Sequence, residues 1–163
     1  MLADSGMRLE ECYRMRRENI NWQHGRNGAV LVTHGKTTAT RRSSPMTPRV
    51  RFILEARWKF AERPTTAGWV WPAPTQCGHL NHANLKKQHS RAFREANTDL
   101  KRKAEEAKTK PTVLKPWVLY PFRDTFLTRL GESGCDAWTL ARVAGHSSIA
   151  ISSRYVHPPM MRF

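Results

Sequence analysis

The chain reads as an α+β domain, mostly helical, with a small antiparallel sheet near its N-terminus. Three observations predict this. Residues 20 to 44 fall into short β-rich runs separated by glycine-containing turns, the pattern of hairpins. From Thr47 onward apolar residues recur at helical spacing. A length of 163 residues suits one domain with a real hydrophobic core.

Met1 to Gly6 is the end of a helix or a loop, broken at Asp4-Ser5-Gly6. Arg8 to Met15 is a helix. Leu9, Cys12, Tyr13 and Met15 supply its apolar side, and Glu10 and Glu11 lie in its first turn, where the dipole favours acids. Ile20-Asn21-Trp22 is a short strand and Gly25 to Gly28 a turn. Ala29 to Val32 is the clearest strand, and Thr37 to Ser44 returns. The turn His34-Gly35-Lys36-Thr37 sets Lys36 at a hairpin tip. Thr47 caps and Pro48 opens a helix. Its Val50, Ile53, Leu54, Trp58 and Ala61 share one face, while Arg49, Arg51, Arg57 and Lys59 lie largely elsewhere.

Pro64 to Gly78 is a loop with a short extended piece, Trp69-Val70-Trp71-Pro72. A helix is expected from Ala83 to Ala96, with Leu85, His89, Ala92, Phe93 and Ala96 inward and Lys86, Lys87, Arg91 and Arg94 outward. Asn97 to Pro111 is charged and nearly free of apolar residues, so a mobile insertion or a poorly packed helix outside the core is expected. Val113 to Tyr120 is extended and apolar. Phe126, Leu127 and Leu130 then return to helical spacing. Asp136 caps a helix carrying Trp138, Leu140, Val143 and Ala144, and Gly145 closes it, because glycine takes the left-handed conformation without steric cost. Ser147 or Ser148 caps a last short helix that Ile149 and Ile151 begin and Pro158 limits. His146 therefore sits in a tight corner, with Tyr155 about two turns further on.

Lys and Arg total 28 against 13 Asp and Glu, a formal charge of +15. A surplus of this size points to a polyanionic partner, above all nucleic acid. No run of about 18 apolar residues could span a membrane. The start lacks the basic-then-apolar pattern of an export signal. Cys12, Cys77 and Cys135 are widely spaced, odd in number and without a CxxC, which suits a reducing cytoplasm. Cys77, His79, His82 and His89 do not follow the spacing of a zinc ribbon or finger, so no metal site and no cofactor is expected.

Gly145-His146-Ser147-Ser148-Ile149, followed by Arg154-Tyr155 with the tyrosine nine positions after His146, resembles the nucleophile segment of the tyrosine recombinases, the phage-integrase type. Gly6-Met7-Arg8 with Glu11 resembles that family's first-arginine motif, and Arg123 matches its second arginine. Lys36, on its hairpin before Arg41-Arg42, matches the third cationic element. Two positions depart from the pattern: Tyr120 stands where the family usually has histidine, and Asp124 replaces the histidine after the arginine. The resemblance implies a catalytic-domain fold over residues 1–163, with the N-terminal core-binding domain absent and little C-terminal tail, since only eight residues follow Tyr155.

The set Arg8, Lys36, Arg123, His146 and Tyr155, with Tyr120 at the histidine position, is what the resemblance implies as catalytic. The chemistry needs such residues. Displacement at a phosphodiester piles charge onto non-bridging oxygens, which two planar guanidinium forks suit. Lysine can give a proton to the departing 5′ oxygen. A phenol of pKa about 10 is a poor nucleophile at neutral pH and needs cations and a proton acceptor. His146 can hydrogen-bond a phosphate oxygen. The implied reaction is site-specific recombination of double-stranded DNA through a 3′-phosphotyrosine, by a tetramer, in a bacterial or phage cytoplasmic setting near the nucleoid. The alternative is a truncated, catalytically weak or inactive DNA-binding remnant. An RNA-binding module is disfavoured, since no RNA-recognition, KH or zinc-knuckle pattern occurs. Taken singly, Arg8 also reads as an exposed cap, Lys36 as a solvated turn and Tyr155 as packing.

Overall fold

The computed structural model describes residues 1–35, 41–59 and 68–156. The order is α1 (Leu2–Ser5), α2 (Leu9–Tyr13), a 3-10 turn (Arg17–Asn19), β1 (Ile20–Asn21), β2 (Ala29–Val32), β3 (Arg42–Pro45), α3 (Pro48–Lys59), α4 (His82–Glu106), α5 (Pro121–Glu132), α6 (Ala137–Ala144) and α7 (Ile149–Ser153). Two compact units result. One joins Met1–His79 to the segment from Leu119 onward, and the other is Leu80–Val118.

In the first unit the three strands form one antiparallel sheet in the order β1-β2-β3. Val30 faces Ile20 on one side and Ser44 on the other, and Val32 faces Arg42. The returning strand is Arg42–Pro45; the earlier residues expected in it, Thr37 to Thr40, lie outside the described residues, as does Lys36. Val30 and Val32 join Met7, Met15, Ile20, Met46, Val50, Leu54 and Val70 in one core cluster. The predicted α3 stripe is thus confirmed at Val50 and Leu54, both about 1% exposed. Trp69 to Trp71 is extended as expected: the Val70 amide donates to the Met15 carbonyl at 3.0 Å, and Trp69 bridges Arg16. A second cluster gathers Leu127, Leu140 and Ala144, with Phe126, Leu130, Tyr155 and Val156 packed against it. At roughly 1.5–3 kcal/mol for each fully buried leucine, it is this cluster that anchors the C-terminal corner. Trp138 does not join it and is 71% exposed, because only Leu140 and Ala144, one turn apart, face α5.

In the second unit the expected helix is present but its end differs. The helix does not stop at Ala96 but runs on to Glu106. Arg91–Glu95, Lys101–Glu105 and Arg102–Glu106 pair one turn apart along it. Such pairs and good helix formers carry a helix that has little apolar face. From Asn97 to Glu106 Ala104 alone is buried and it joins neither core cluster, so this stretch is the poorly packed helix, one of the two expectations for it. The helix ends where Lys108 takes a left-handed φ of 51°, and the Thr109 amide reaches back to the Ala104 carbonyl at 2.9 Å. His89 packs edge-on against Phe93 and Trp117. In the first unit His79 stacks on Tyr13 and packs at a tilt against Trp69. Among the described residues no three His, Cys, Asp or Glu side chains gather as a metal site, and no helix is long and apolar enough to cross a membrane.

Candidate active site

The site forms where α6 ends. Asp136 caps the start of that helix, accepting from the Trp138 and Thr139 amides at 2.9 and 3.0 Å. Gly145 stops it at a φ of 65°. The Gly145 amide donates to Arg142 and the His146 amide to Ala141, the paired bonds of a Schellman motif. These bonds fix the backbone of His146. Ser148 then caps α7, accepting from the Ala150 amide. Each of these elements is placed as the sequence predicts.

A helix C-terminus leaves carbonyls unpaired and carries partial negative charge. Here three successive carbonyls each take a different arginine. Val143 accepts from Arg42 Nε at 2.7 Å, Ala144 from Arg123 Nη2 at 2.7 Å, and Gly145 from Arg8 Nη2 at 3.0 Å. The three arginines come from β3, α5 and the start of α2. Arg123 is 2% exposed, and its Nη1 also donates to the Gly6 carbonyl. Its burial, then the neighbouring Arg8 charge, pull its pKa below the usual arginine value.

One carboxylate holds two of these cations. Glu11 accepts from both Arg42 terminal nitrogens at 2.9 Å, from Arg8 Nη1 at 3.0 Å and from the Arg8 amide at 2.8 Å. Burial alone would raise the Glu11 pKa, but the Arg42 fork and then Arg8 outweigh it and hold it below the usual carboxylate value. No Cβ fits at Gly145, since it would stand 2.6 Å from Arg42 Nη1. The corner is therefore closed by a glycine for reasons of both φ and space.

His146 Nε2 lies 3.1 Å from Arg123 Nη2 and Nδ1 lies 2.8 Å from Ser152 Oγ. Arginine can only donate, so Nε2 accepts and the proton sits on Nδ1, donated to the buried Ser152. Burial, then Arg123 and Arg8, push the His146 pKa down to about 4. The imidazole is thus neutral at physiological pH, with both nitrogens engaged inside the protein. It steadies Arg123 in this state.

Tyr155 follows α7, its ring stacked on His146 with centroids 6.3 Å apart. Its hydroxyl donates to Asp124 Oδ1 at 2.7 Å. Burial and then this carboxylate raise the phenol pKa to about 12. The chain reaches this place only because Gly131 has no side chain: a Cβ there would lie 1.9 Å from the Tyr155 carbonyl oxygen. Beside His146 opens a hollow of about 380 Å³ lined by Arg41, Arg42, Trp138, Arg142 and Ser147.

Of the residues picked from sequence, Arg8, Arg123, His146 and Tyr155 lie together. Tyr120 stands at the start of α5, three residues before Arg123, and is 53% exposed. Arg42, Asp124, Ser152 and Gly131 were not picked as site residues. Arg42 left a signal in the doubled arginine before Pro45, and Asp124 in its departure from the expected histidine. Gly131 left one as a glycine within a helical pattern. Ser152 left none.

The model of the Phage integrase family matches residues 1–162. No curated protein sequence matches the chain. Among solved structures, the Tn1549 transposon integrase (residues 82–397) in complex with circular intermediate DNA superposes with a TM-score of 0.69 at 18% identity, covering 98% of this chain and 52% of that one. The XerA recombinase crystal structure gives 0.65 at 20% identity, covering 96% and 49%. XerH site-specific recombinase bound to difH substrate gives 0.58 at 17%, covering 96% and 40%. The chain thus spans about half the length of the first of these structures, or less, and shares their fold.

Proposed function

The chain belongs to the phage integrase family, and from that premise we propose that it cleaves and rejoins double-stranded DNA through a covalent bond to Tyr155. The observation that carries this reading is the gathering of Arg8, Arg123 and His146 beside the Tyr155 ring at one helix end. Tyr155 Oη attacks phosphorus, and the 3′-phosphotyrosyl bond forms as the bond to the 5′ oxygen breaks. Arg8 and Arg123 face the charge that grows on the non-bridging oxygens. His146 holds Arg123 in orientation. Lys36 gives the proton that the departing 5′ oxygen takes up, and Tyr120 stands at the open edge as a hydrogen-bond donor to the phosphate.

The phosphotyrosyl bond stores the energy of the broken one, so a second 5′ hydroxyl can reverse the step on a new partner without metal or nucleotide. Joining two duplexes calls for several protomers, and we assign a tetramer on intracellular DNA. The +15 charge supports a polyanionic substrate. The test is covalent capture. A mixed-sequence library of nicked duplexes is incubated with the protein, and DNA that survives denaturing gel electrophoresis on the protein is sequenced. The wild type is expected to give an adduct of a selected sequence, and Tyr155→Phe none. Salt-sensitive binding with no adduct would favour a DNA-binding remnant instead.

A further inference from the structure

The geometry points to Asp124 as the general base that takes the phenolic proton of Tyr155 during attack. This rests on the reading of Tyr155 as nucleophile. A phenol with its proton in place cannot attack phosphorus efficiently at neutral pH, and something within hydrogen-bond reach must accept it. Asp124 Oδ1 sits 2.7 Å from the Tyr155 hydroxyl oxygen. The other basic group nearby is disqualified: His146 Nε2, the one unprotonated ring nitrogen, is occupied by Arg123. Tyr120 is itself a phenol. The remaining ionisable group facing Tyr155 is Arg154, which has no lone pair to offer.

The position of Asp124 on its helix fits this task. It lies in the first turn of α5, one residue after Arg123. The same turn thus offers a guanidinium toward the corner and a carboxylate toward the attacking oxygen. The step balances. The Oη–H bond breaks and its proton passes to Asp124, the Oη–P bond forms, and the P–O5′ bond breaks with Lys36 protonating the leaving oxygen. In the reverse step Asp124 returns the proton to Tyr155. Burial, then the hydrogen bond to Asp124, raise the Tyr155 phenol pKa and make a free phenolate scarce, which fits proton transfer along that bond as attack proceeds.

Asp124→Asn is the informative variant, because its Oδ1 still accepts the hydrogen bond but cannot take the proton. The probe is the duplex captured by wild type, remade with a 5′-bridging phosphorothiolate. Its thiolate leaves without an acid, so the rate reports activation of the nucleophile. At pH 7 Asp124→Asn is expected to form adduct about 10²–10⁴-fold more slowly than wild type, with an unchanged melting temperature. The wild-type rate should be level from pH 6 to 9, whereas the Asp124→Asn rate should rise about tenfold per pH unit as free phenolate takes over. A rate within threefold of wild type, or faster, with the same pH profile would overturn the assignment and leave the proposed function standing. No adduct from wild type on any duplex would overturn both.

Discussion

Replacing Glu11 by Gln should loosen the site from behind. Glu11 and Arg42 have side chains only 3% and 7% exposed, and two parallel bonds of 2.9 Å join them. Removing one partner of such a buried pair costs about 3–5 kcal/mol, because the other charge stays desolvated. Glutamine keeps one acceptor oxygen but turns an N–H toward a guanidinium, so the loss belongs near 3 kcal/mol. For a domain of this length that lowers Tm by roughly 6–12 °C. The Arg8 contact adds little to the sum, since its side chain is 36% exposed. The sign with pH follows from the lowered Glu11 pKa. The unfolded carboxyl binds protons first, near its ordinary value of 4.5. The stabilisation is therefore complete above that value and disappears as pH falls through the folded one. The gap between wild type and Glu11→Gln should close in acid. Thermal and guanidinium unfolding of Glu11→Gln, Arg42→Met and the double variant measure the coupling. A Tm change under 2 °C, or a coupling below about 0.5 kcal/mol, would refute the claim that this pair holds β3 to α2.

Four further outcomes are expected. Gly131→Ala gains about 1 kcal/mol of helix propensity in principle, yet its Cβ must displace the Tyr155 carbonyl; adduct formation should fall at least tenfold with no rise in Tm. Gly145→Ala meets both a φ of 65° and the Arg42 guanidinium, so it should lower stability by about 2–3 kcal/mol in denaturant unfolding. Lys108→Gly relieves the left-handed φ of 51° that closes α4, and should protect the last turn in hydrogen exchange by up to about 1 kcal/mol. The His146 ring, with its pKa lowered to about 4, should show no NMR titration between pH 5.5 and 8. Since the unfolded ring binds a proton first as pH falls, His146 withdraws stability on acidification from its ordinary 6.5 toward the folded value.

Much of this was legible in the chain because the signals are local. Asp136, Gly145 and Ser148 fix two helix ends by caps that depend on neighbours within a few residues, and the hairpin before α3 follows from alternation and glycine turns. The α4 boundary was not legible in the same way. Its second half, from Asn97 to Glu106, carries few apolar residues, and hydrophobic periodicity cannot detect a helix held by charge pairs one turn apart. The site shows the same division. Arg8, Arg123, His146 and Tyr155 stand out by motif, whereas the Arg42–Glu11 pairing spans 31 positions and Tyr155–Asp124 another 31. Spacing along the chain says nothing of such bonds until the strand and helices are docked.

The three arginines converge for a reason that belongs to α6 rather than to any of their own elements. Its last carbonyls need donors and its terminus favours cations, so Arg42, Arg123 and Arg8 are drawn to three adjacent peptide groups. These are neutral acceptors. A phosphate in the corner offers a charged one, and charge-assisted bonds are roughly twice as strong. Arg8 and Arg123 can therefore give up a carbonyl for a non-bridging oxygen at a net gain in the reaction proposed. Arg42 cannot do so as readily, because its two terminal nitrogens already face a carboxylate. The partners divide the labour by degree: Arg42 has both terminal nitrogens on Glu11 and fixes the frame, Arg8 has only Nη1 there and keeps Nη2 on a carbonyl, and Arg123, buried, is held by carbonyls and by His146 but by no carboxylate.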